Sequence, residues 1–292
     1  IMMGLKFASD IPFRQVHING IVRDASRKKM SKTKGNIIEP LELVDQYGAD
    51  AVRFTLSSMA VPGTDIPFSS DRMKGYSAFA NKVWNAARFV LMNLKDTDGA
   101  VAPESVDDWV RKEGDAVPLE DRWILHRLRE VSGQISEALD KFRFHDASAQ
   151  IYQFIWHELC DWYIEMVKPV LTDSAVDAGA RESRIRVLVH VLDYALRLLH
   201  PFMPFITEEI WQKLPHEGGS IMVRNFPAPR QALENPDAAA KMQGLMDLIG
   251  AMRALRAEVN IDPKRFLDAA VCVGSAGDRR LVEENMPKLL SL

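Results

Sequence analysis

The chain has 292 residues, 47% of them hydrophobic and 26% charged, with a formal net charge of −3. That length can hold two or three domains and a sizeable core, and the composition excludes collagen, low-complexity disorder and a disulfide scaffold. The two cysteines, Cys160 and Cys272, lack the C-x-x-C spacing of a zinc or redox motif. No apolar run is long enough to cross a membrane and no signal peptide is visible, so a reducing cytoplasm is the expected compartment.

The charge is unevenly spread. Residues 1–35 hold eight basic side chains against two acids, which leaves an excess of nine acids in the remainder. The average therefore hides a polarised chain. The first residue is Ile1, and the last segment stops inside an amphipathic run. On these grounds the chain is expected to be a piece of something longer.

Two β-like pieces open the chain, Ile1–Leu5 and Val16–Val22. A basic loop without apolar periodicity, Ser26–Asn36, follows and is expected to be mobile. From Pro40 the period becomes helical, with Pro40 suited to a first helical position and Gly48 to a position just past a helix end. A second short helix runs over 50–59, then a loop to Ser70. A long helix is predicted over about 71–94, capped by Ser70 or Asp71.

The middle of the chain reads as a helix bundle. Ile124, Leu128, Val131, Ile135 and Leu139 form one apolar stripe; Ile151, Ile155, Leu159, Trp162, Met166 and Val170 form a second; Val187, Val191, Tyr194 and Leu198 form a third. A shorter helix is predicted from Pro204 to Leu214. After Pro227-Ala228-Pro229 a helix is predicted over 237–259, then a β-like run over 266–273. The fold class is thus mainly α, with small α/β pieces at each end.

Four lysines fall within seven residues in Lys28-Lys29-Met30-Ser31-Lys32-Thr33-Lys34. Compact charges on flexible stems, interleaved with hydroxyls and backbone N–H groups, suit phosphate oxygens. A solvated basic turn has the same composition. The Walker spacing is absent.

Lys29-Met30-Ser31-Lys32-Thr33 is similar to the K-M-S-K-S motif of class I aminoacyl-tRNA synthetases. The continuation Gly35–Leu43 and Tyr47–Phe54 resembles the valine, isoleucine and leucine members. Asp71–Tyr76 and Phe79–Asn93 resemble the valine members specifically, and the isoleucine and leucine members differ there. Trp156–Tyr163 and His200–Trp211 resemble the helical anticodon-binding domain of the same family. The resemblance covers nearly the whole chain; its one departure is Thr33 in place of Ser, which keeps the hydroxyl.

The resemblance implies a Rossmann-like catalytic domain ending near residue 36, connecting helices over 37–75, an anticodon-binding helix bundle over 76–230, and the start of a small α/β element over 231–292. It implies an enzyme that activates valine with ATP and Mg²⁺, as substrates, and transfers it to tRNA(Val). Lys32 would meet the phosphate oxygens in the transition state and Lys29 would assist. Met30 and Ser31 would complete the ATP contact. A monomer is expected. The family's His-Ile-Gly-His motif is not in the sequence; His17-Ile18-Asn19-Gly20 does not match it, and His17 reads as a half-packed strand residue. The piece alone is expected to be inactive. The alternatives are an isoleucine or leucine member, or a non-catalytic tRNA-binding helical module.

Asn81, Lys82, Asn85 and Arg88 fall at helical spacing on one face. That face suits RNA phosphates and 2′-hydroxyls, and a plain solvated face would look the same. The resemblance places Phe89 and Ile164 where the valine members sandwich an unstacked anticodon base. Trp84, Val83, Trp123, Trp156 and Trp211 read as core. Glu208 and Glu209 read as first-turn carboxylates favoured by the helix dipole. His145, His157, His190 and His200 lack metal-ligand spacing.

Overall fold

The computed structural model describes residues 1–94, 106–173, 175–262, 265 and 267–291. The expectations for Lys95, a further charge at the end of the long helix, for Phe266 and for Leu292 lie outside them.

The molecule is mainly helical. Helix α1 spans Met2–Ala8, and a two-residue strand β1 follows at Val22–Arg23. Helices α2 (Pro40–Tyr47) and α3 (Ala49–Met59) come next, then strand β2 (Ile66–Pro67). The bundle contains α4 (Ser70–Leu94), α5 (Val106–Glu113), α6 (Leu119–Asp140), α7 (Phe144–Gln153), a π-helical segment (Phe154–Tyr163), α8 (Ile164–Thr172), α9 (Ala178–Leu199) and α10 (Pro204–Trp211). Helices α11 (Pro236–Glu258), α12 (Ala276–Glu284) and α13 (Met286–Ser291) close the chain.

Three local expectations change. Ile1–Leu5 belongs largely to helix α1, since Met, Leu, Lys and Ala are good helix formers. Of the second β-like piece only Val22 joins a strand, paired in parallel with Ile66. Leu267–Val273 forms no strand; its apolar side chains Leu267, Val271 and Val273 are exposed, and among the described residues it pairs with no other strand.

The small sheet is tied to the segment before β2. The Ile21 amide donates to Asp65 Oδ1 at 3.0 Å, and Arg23 is ion-paired with Asp65. Gly20 is required by this close approach: a Cβ there would lie 1.9 Å from the Thr64 carbonyl oxygen. His17 reaches the corner between α6 and α7, stacked on Phe142 at 5.4 Å and edge-on to Phe144 at 5.6 Å.

The core follows the three predicted stripes. Ile124, Leu128, Val131 and Ile135 of α6 are buried, as are Ile151, Ile155 and Leu159. Helix α9 is buried nearly all round from Arg184 to Leu199, so it is the central helix of the bundle. A charged cluster is sealed beside it. Arg184 pairs with Asp121 and, at 2.7 Å, with Glu120; Tyr163 donates its hydroxyl to Asp121 at 2.7 Å; Lys288 of α13 donates to Glu120 at 2.6 Å.

Helix α3 is fixed to the far side of the bundle. Asp50 accepts the backbone N–H groups of Phe205 and Ile206, at 3.2 and 2.7 Å, and so caps α10 from outside that helix. Arg53 donates to the Pro201 carbonyl at 3.1 Å. Phe54 completes the joint in the core, its ring 4.7 to 6.4 Å from those of Tyr76, Phe79, Tyr152 and Phe202.

Candidate functional site

The lysine loop grows out of β1. Arg23 bridges to Lys29, and the Asp24 amide donates to the Lys28 carbonyl at 3.0 Å. The Lys28 amide returns to Asp24 Oδ1 at 2.7 Å, closing a tight turn in which Arg27 takes the left-handed φ of 62°. Lys32–Lys34 make one 3₁₀ turn, ended by Gly35 at φ 64°. Ser31 Oγ and Thr33 Oγ1 share a hydrogen bond of 2.7 Å, so the hydroxyl retained at Thr33 is in use.

The frame of this loop is one residue, Asn36, whose role periodicity does not reveal. Its Oδ1 accepts from the Ser31 amide at 2.9 Å, and its Nδ2 donates to Asp24 Oδ2 at 2.8 Å and to the Lys29 carbonyl at 3.3 Å. The Asn36 amide, and after it the Lys28 amide, hold the Asp24 carboxyl below its usual range. Met30 and Ser31 are half-buried, while Lys28, Lys29, Lys32 and Lys34 are exposed. A row of ammonium groups thus stands on a hydrogen-bonded base, able to gather phosphate oxygens.

On α4, Asn81, Asn85 and Arg88 are exposed along one face. Lys82 is different. Its ammonium lies 2.5 Å from Asp161 Oδ1 and 4.0 Å from the centre of the Trp156 ring. His157 Nδ1 is 3.1 Å from the other Asp161 oxygen. The charge of Lys82 is therefore largely balanced within the protein, and Asp161 is a polar residue of this surface that the α4 spacing does not disclose.

Phe89 is half-buried, with Lys168 of α8 poised 5.9 Å over its ring. Ile164, one turn before Lys168, is only 5% exposed and belongs to the core. Trp84 is not core: it is 42% exposed and lines a groove of about 610 Å³ between α4 and α10, with Arg88, Met92, Ile210 and Lys213. Helical spacing places Trp84 beside the buried Val83, but one residue is about 100° of rotation. Trp123 and Trp211 are buried, and Trp156 packs against the core beneath Lys82.

The carboxylates of α10 have a local task. Glu208 Oε2 accepts from Ser220 Oγ at 2.9 Å and from the Ile221 amide at 3.2 Å, fastening the loop after the helix; Glu209 pairs with Lys213. They lie in the second turn, and it is Asp50 that serves the first. His200 Nδ1 bonds to Thr207 Oγ1 at 2.8 Å, and His190 stacks on Tyr194 at 4.4 Å. Among the described residues no group of three or more His, Cys, Asp or Glu is placed to hold a metal ion, and no helix is long and apolar enough to cross a membrane.

Comparison with known proteins agrees with this arrangement. A family model for the anticodon-binding domain of tRNA ligase matches residues 121–271, and one for class I tRNA synthetases (I, L, M and V) matches residues 1–69. The chain is 45% identical over 294 residues to the valine–tRNA ligase of Geobacter sulfurreducens, covering 100% of this chain and 32% of that protein. It is 46% identical over 265 residues to the valine–tRNA ligase of Geobacillus kaustophilus, covering 91% and 29%. The chain thus spans about a third of the length of the curated relatives it matches. Among solved structures, the LeuRS of Agrobacterium radiobacter K84, in a ternary complex with tRNA and LeuAMS, aligns with a TM-score of 0.59 at 23% identity, over 77% of this chain and 25% of that one. The methionyl-tRNA synthetase of Mycobacterium tuberculosis, bound by methionyl-adenylate, aligns with a TM-score of 0.54 at 23% identity, over 70% and 39%. At that identity they speak for the fold. The chain belongs to the family of the anticodon-binding domain of tRNA ligase, whose model matches residues 121–271, and it opens with a segment similar to the class I tRNA synthetases.

Proposed function

We propose that this chain is the lysine-loop and tRNA-reading part of a valine–tRNA ligase. The observation that carries the reading is the 45% identity to such a ligase along the whole chain, lysine loop and helices together. In valine activation a carboxylate oxygen of the amino acid attacks the α-phosphorus of ATP. The bond to the β-phosphate oxygen breaks, and pyrophosphate leaves with the electron pair. Negative charge accumulates on the α-phosphoryl and leaving oxygens. Lys32, exposed on the 3₁₀ turn, meets those oxygens most strongly in the transition state, so it lowers the barrier more than it tightens ATP binding. Lys29 adds a second charge, and Met30 and Ser31 border the nucleotide. Mg²⁺ enters with ATP as part of the substrate.

The tRNA lies along α4 and α8. Asn81, Asn85 and Arg88 contact phosphates and 2′-hydroxyls. Phe89 offers its ring to an unstacked base, with Ile164 supporting that contact from the core. Lys82 contributes through the Asp161 pair rather than as a free charge. The protein works as a cytoplasmic monomer, and this chain alone charges no tRNA.

The test uses the complete ligase that carries this chain. Lys32→Ala should depress ATP–pyrophosphate exchange far more than ATP affinity. An exchange rate unaffected by the substitution removes the role. Titration with purified tRNA species at two salt concentrations tests the second half: preference for tRNA(Val) supports it, and equal binding to all species refutes specific reading.

A further inference from the structure

The polar frame of the lysine loop has a consequence for the reaction. The loop carries four lysines in seven residues, so mutual repulsion favours splaying it apart. Its stem is closed by two side chains twelve residues apart, Asp24 before the loop and Asn36 after it. Besides bonding to each other, Asn36 engages two loop groups and Asp24 engages one, so the pair holds the Lys28 amide, the Lys29 carbonyl and the Ser31 amide at once. Both are half-buried, whereas the four lysines are exposed. The stem is rooted in β1, itself held by Asp65.

We infer that Asp24 and Asn36 are positioning residues of amino-acid activation: the pair fixes where Lys29 and Lys32 present their ammonium groups to a nucleoside triphosphate. The inference rests on the reading of the loop as an ATP clamp and adds to it the device that aims the clamp. Fixing the backbone on both sides of Met30 leaves each lysine stem to search from a set origin. Less ordering remains to be done when the transition state forms. The carboxylate–amide bond is also directional. Asp24 only accepts and Asn36 donates, so the two positions are complementary and not interchangeable one at a time.

That complementarity gives a test in the complete ligase. Asp24→Asn sets two amide NH₂ groups against each other, or forces Asn36 to flip and release the Ser31 amide. Asn36→Asp sets two carboxylates against each other. The exchanged pair, Asp24→Asn with Asn36→Asp, restores a donor facing an acceptor, and the acceptors for the Lys28 and Ser31 amides remain; only the bond to the Lys29 carbonyl is lost. Each single variant should lower kcat of ATP–pyrophosphate exchange by about tenfold to a hundredfold, the cost of misplacing a group by roughly 1 Å. KM for ATP should change by less than about threefold, since the loss is of transition-state contact. The exchanged pair should recover most of the rate, whereas a general loss of stability would add in the double variant. Thermal unfolding of all three variants, with Lys32→Ala as control, separates folding from aim. Single variants at full kcat, or an exchanged pair no faster than the singles, overturn the inference while an inactive Lys32→Ala keeps the clamp reading. A fully active Lys32→Ala overturns both.

Discussion

Replacing Arg184 by Met removes the guanidinium that Glu120 and Asp121 share in the sealed cluster. Methionine keeps most of the side-chain volume, so the loss is electrostatic rather than a cavity. Afterwards Glu120 retains Lys288, but Asp121 retains only the Tyr163 hydroxyl among the contacts described. Leaving a buried carboxylate without its cation costs about 3–5 kcal/mol. The cost depends on pH. Burial already pushes Asp121 up to about 6 against the pull of Arg184, while Arg184 and Lys288 overcome burial at Glu120 and hold it low. Without Arg184 both native carboxyls rise. A carboxyl whose native pKa lies above its unfolded value is least harmful when protonated; stability is lost as pH climbs from the unfolded value through the native one. For Asp121, already near 6, each further unit of native rise therefore adds about 1.4 kcal/mol to the deficit at pH 8 and little at pH 5, whereas the stabilisation lost at Glu120, which starts low, is lost at both. Urea unfolding followed by tryptophan fluorescence, at both pH values, measures this. A loss at pH 8 below about 1 kcal/mol, within the scatter of surface substitutions, would refute the reasoning. So would an equal loss at pH 5 and pH 8.

Other outcomes follow from the same structure. Arg88→Ala should weaken tRNA binding and reduce the slope of log affinity against log salt by about one, while Lys82→Ala, whose charge Asp161 already balances, should change it by less; equal slopes would argue against the internal pairing. Phe89→Ala should weaken tRNA binding yet leave cooperative unfolding of the bundle intact, because the ring is only half-buried; loss of that cooperativity in a thermal melt would make Phe89 a packing residue. Burial pushes the Cys160 thiol up to about 12, whereas Cys272 is exposed. A disulfide reagent at pH 8 should therefore react quickly with one thiol in the native chain and with two in denaturant, and two fast thiols in the native chain would contradict the packing around Cys160.

Helix positions were readable because burial and period coincide. Every third or fourth residue from Ile124 to Ile135 is apolar in the sequence and buried in the fold. In α9 the stripe Val187, Val191, Tyr194 and Leu198 is buried as the period predicts, but most residues between them are buried too, and the period alone does not show that this helix is central. It also fails for Trp84, whose size suggests core although its direction leads outward. The lysine loop was readable from composition and motif, but its frame was not. A loop has no period, and whether Asn36 turns its amide toward Asp24 or toward water depends on where β1 places Asp24. Partners far apart in sequence were the least visible. Nothing near Lys82 points to Asp161, and nothing near Glu208 shows that the first turn of α10 is already served by Asp50. Local chemistry names the groups able to bond, while tertiary packing chooses among them.

The capping of α10 by Asp50 also constrains the order in which the chain can fold. Its two bonds join residues 155 and 156 positions apart, among the longest sequence separations in the molecule. During synthesis α3 leaves the ribosome well before the helix it will cap. Until α10 has been made, the Asp50 carboxylate can face only water, and Phe54 lacks the Phe202 ring. Helix α10, for its part, starts at Pro204 without a side-chain cap from its own flanking residue. The capping of α10 is therefore a late, non-local closure, added to a joint that Phe54 can make earlier with Tyr76, Phe79 and Tyr152.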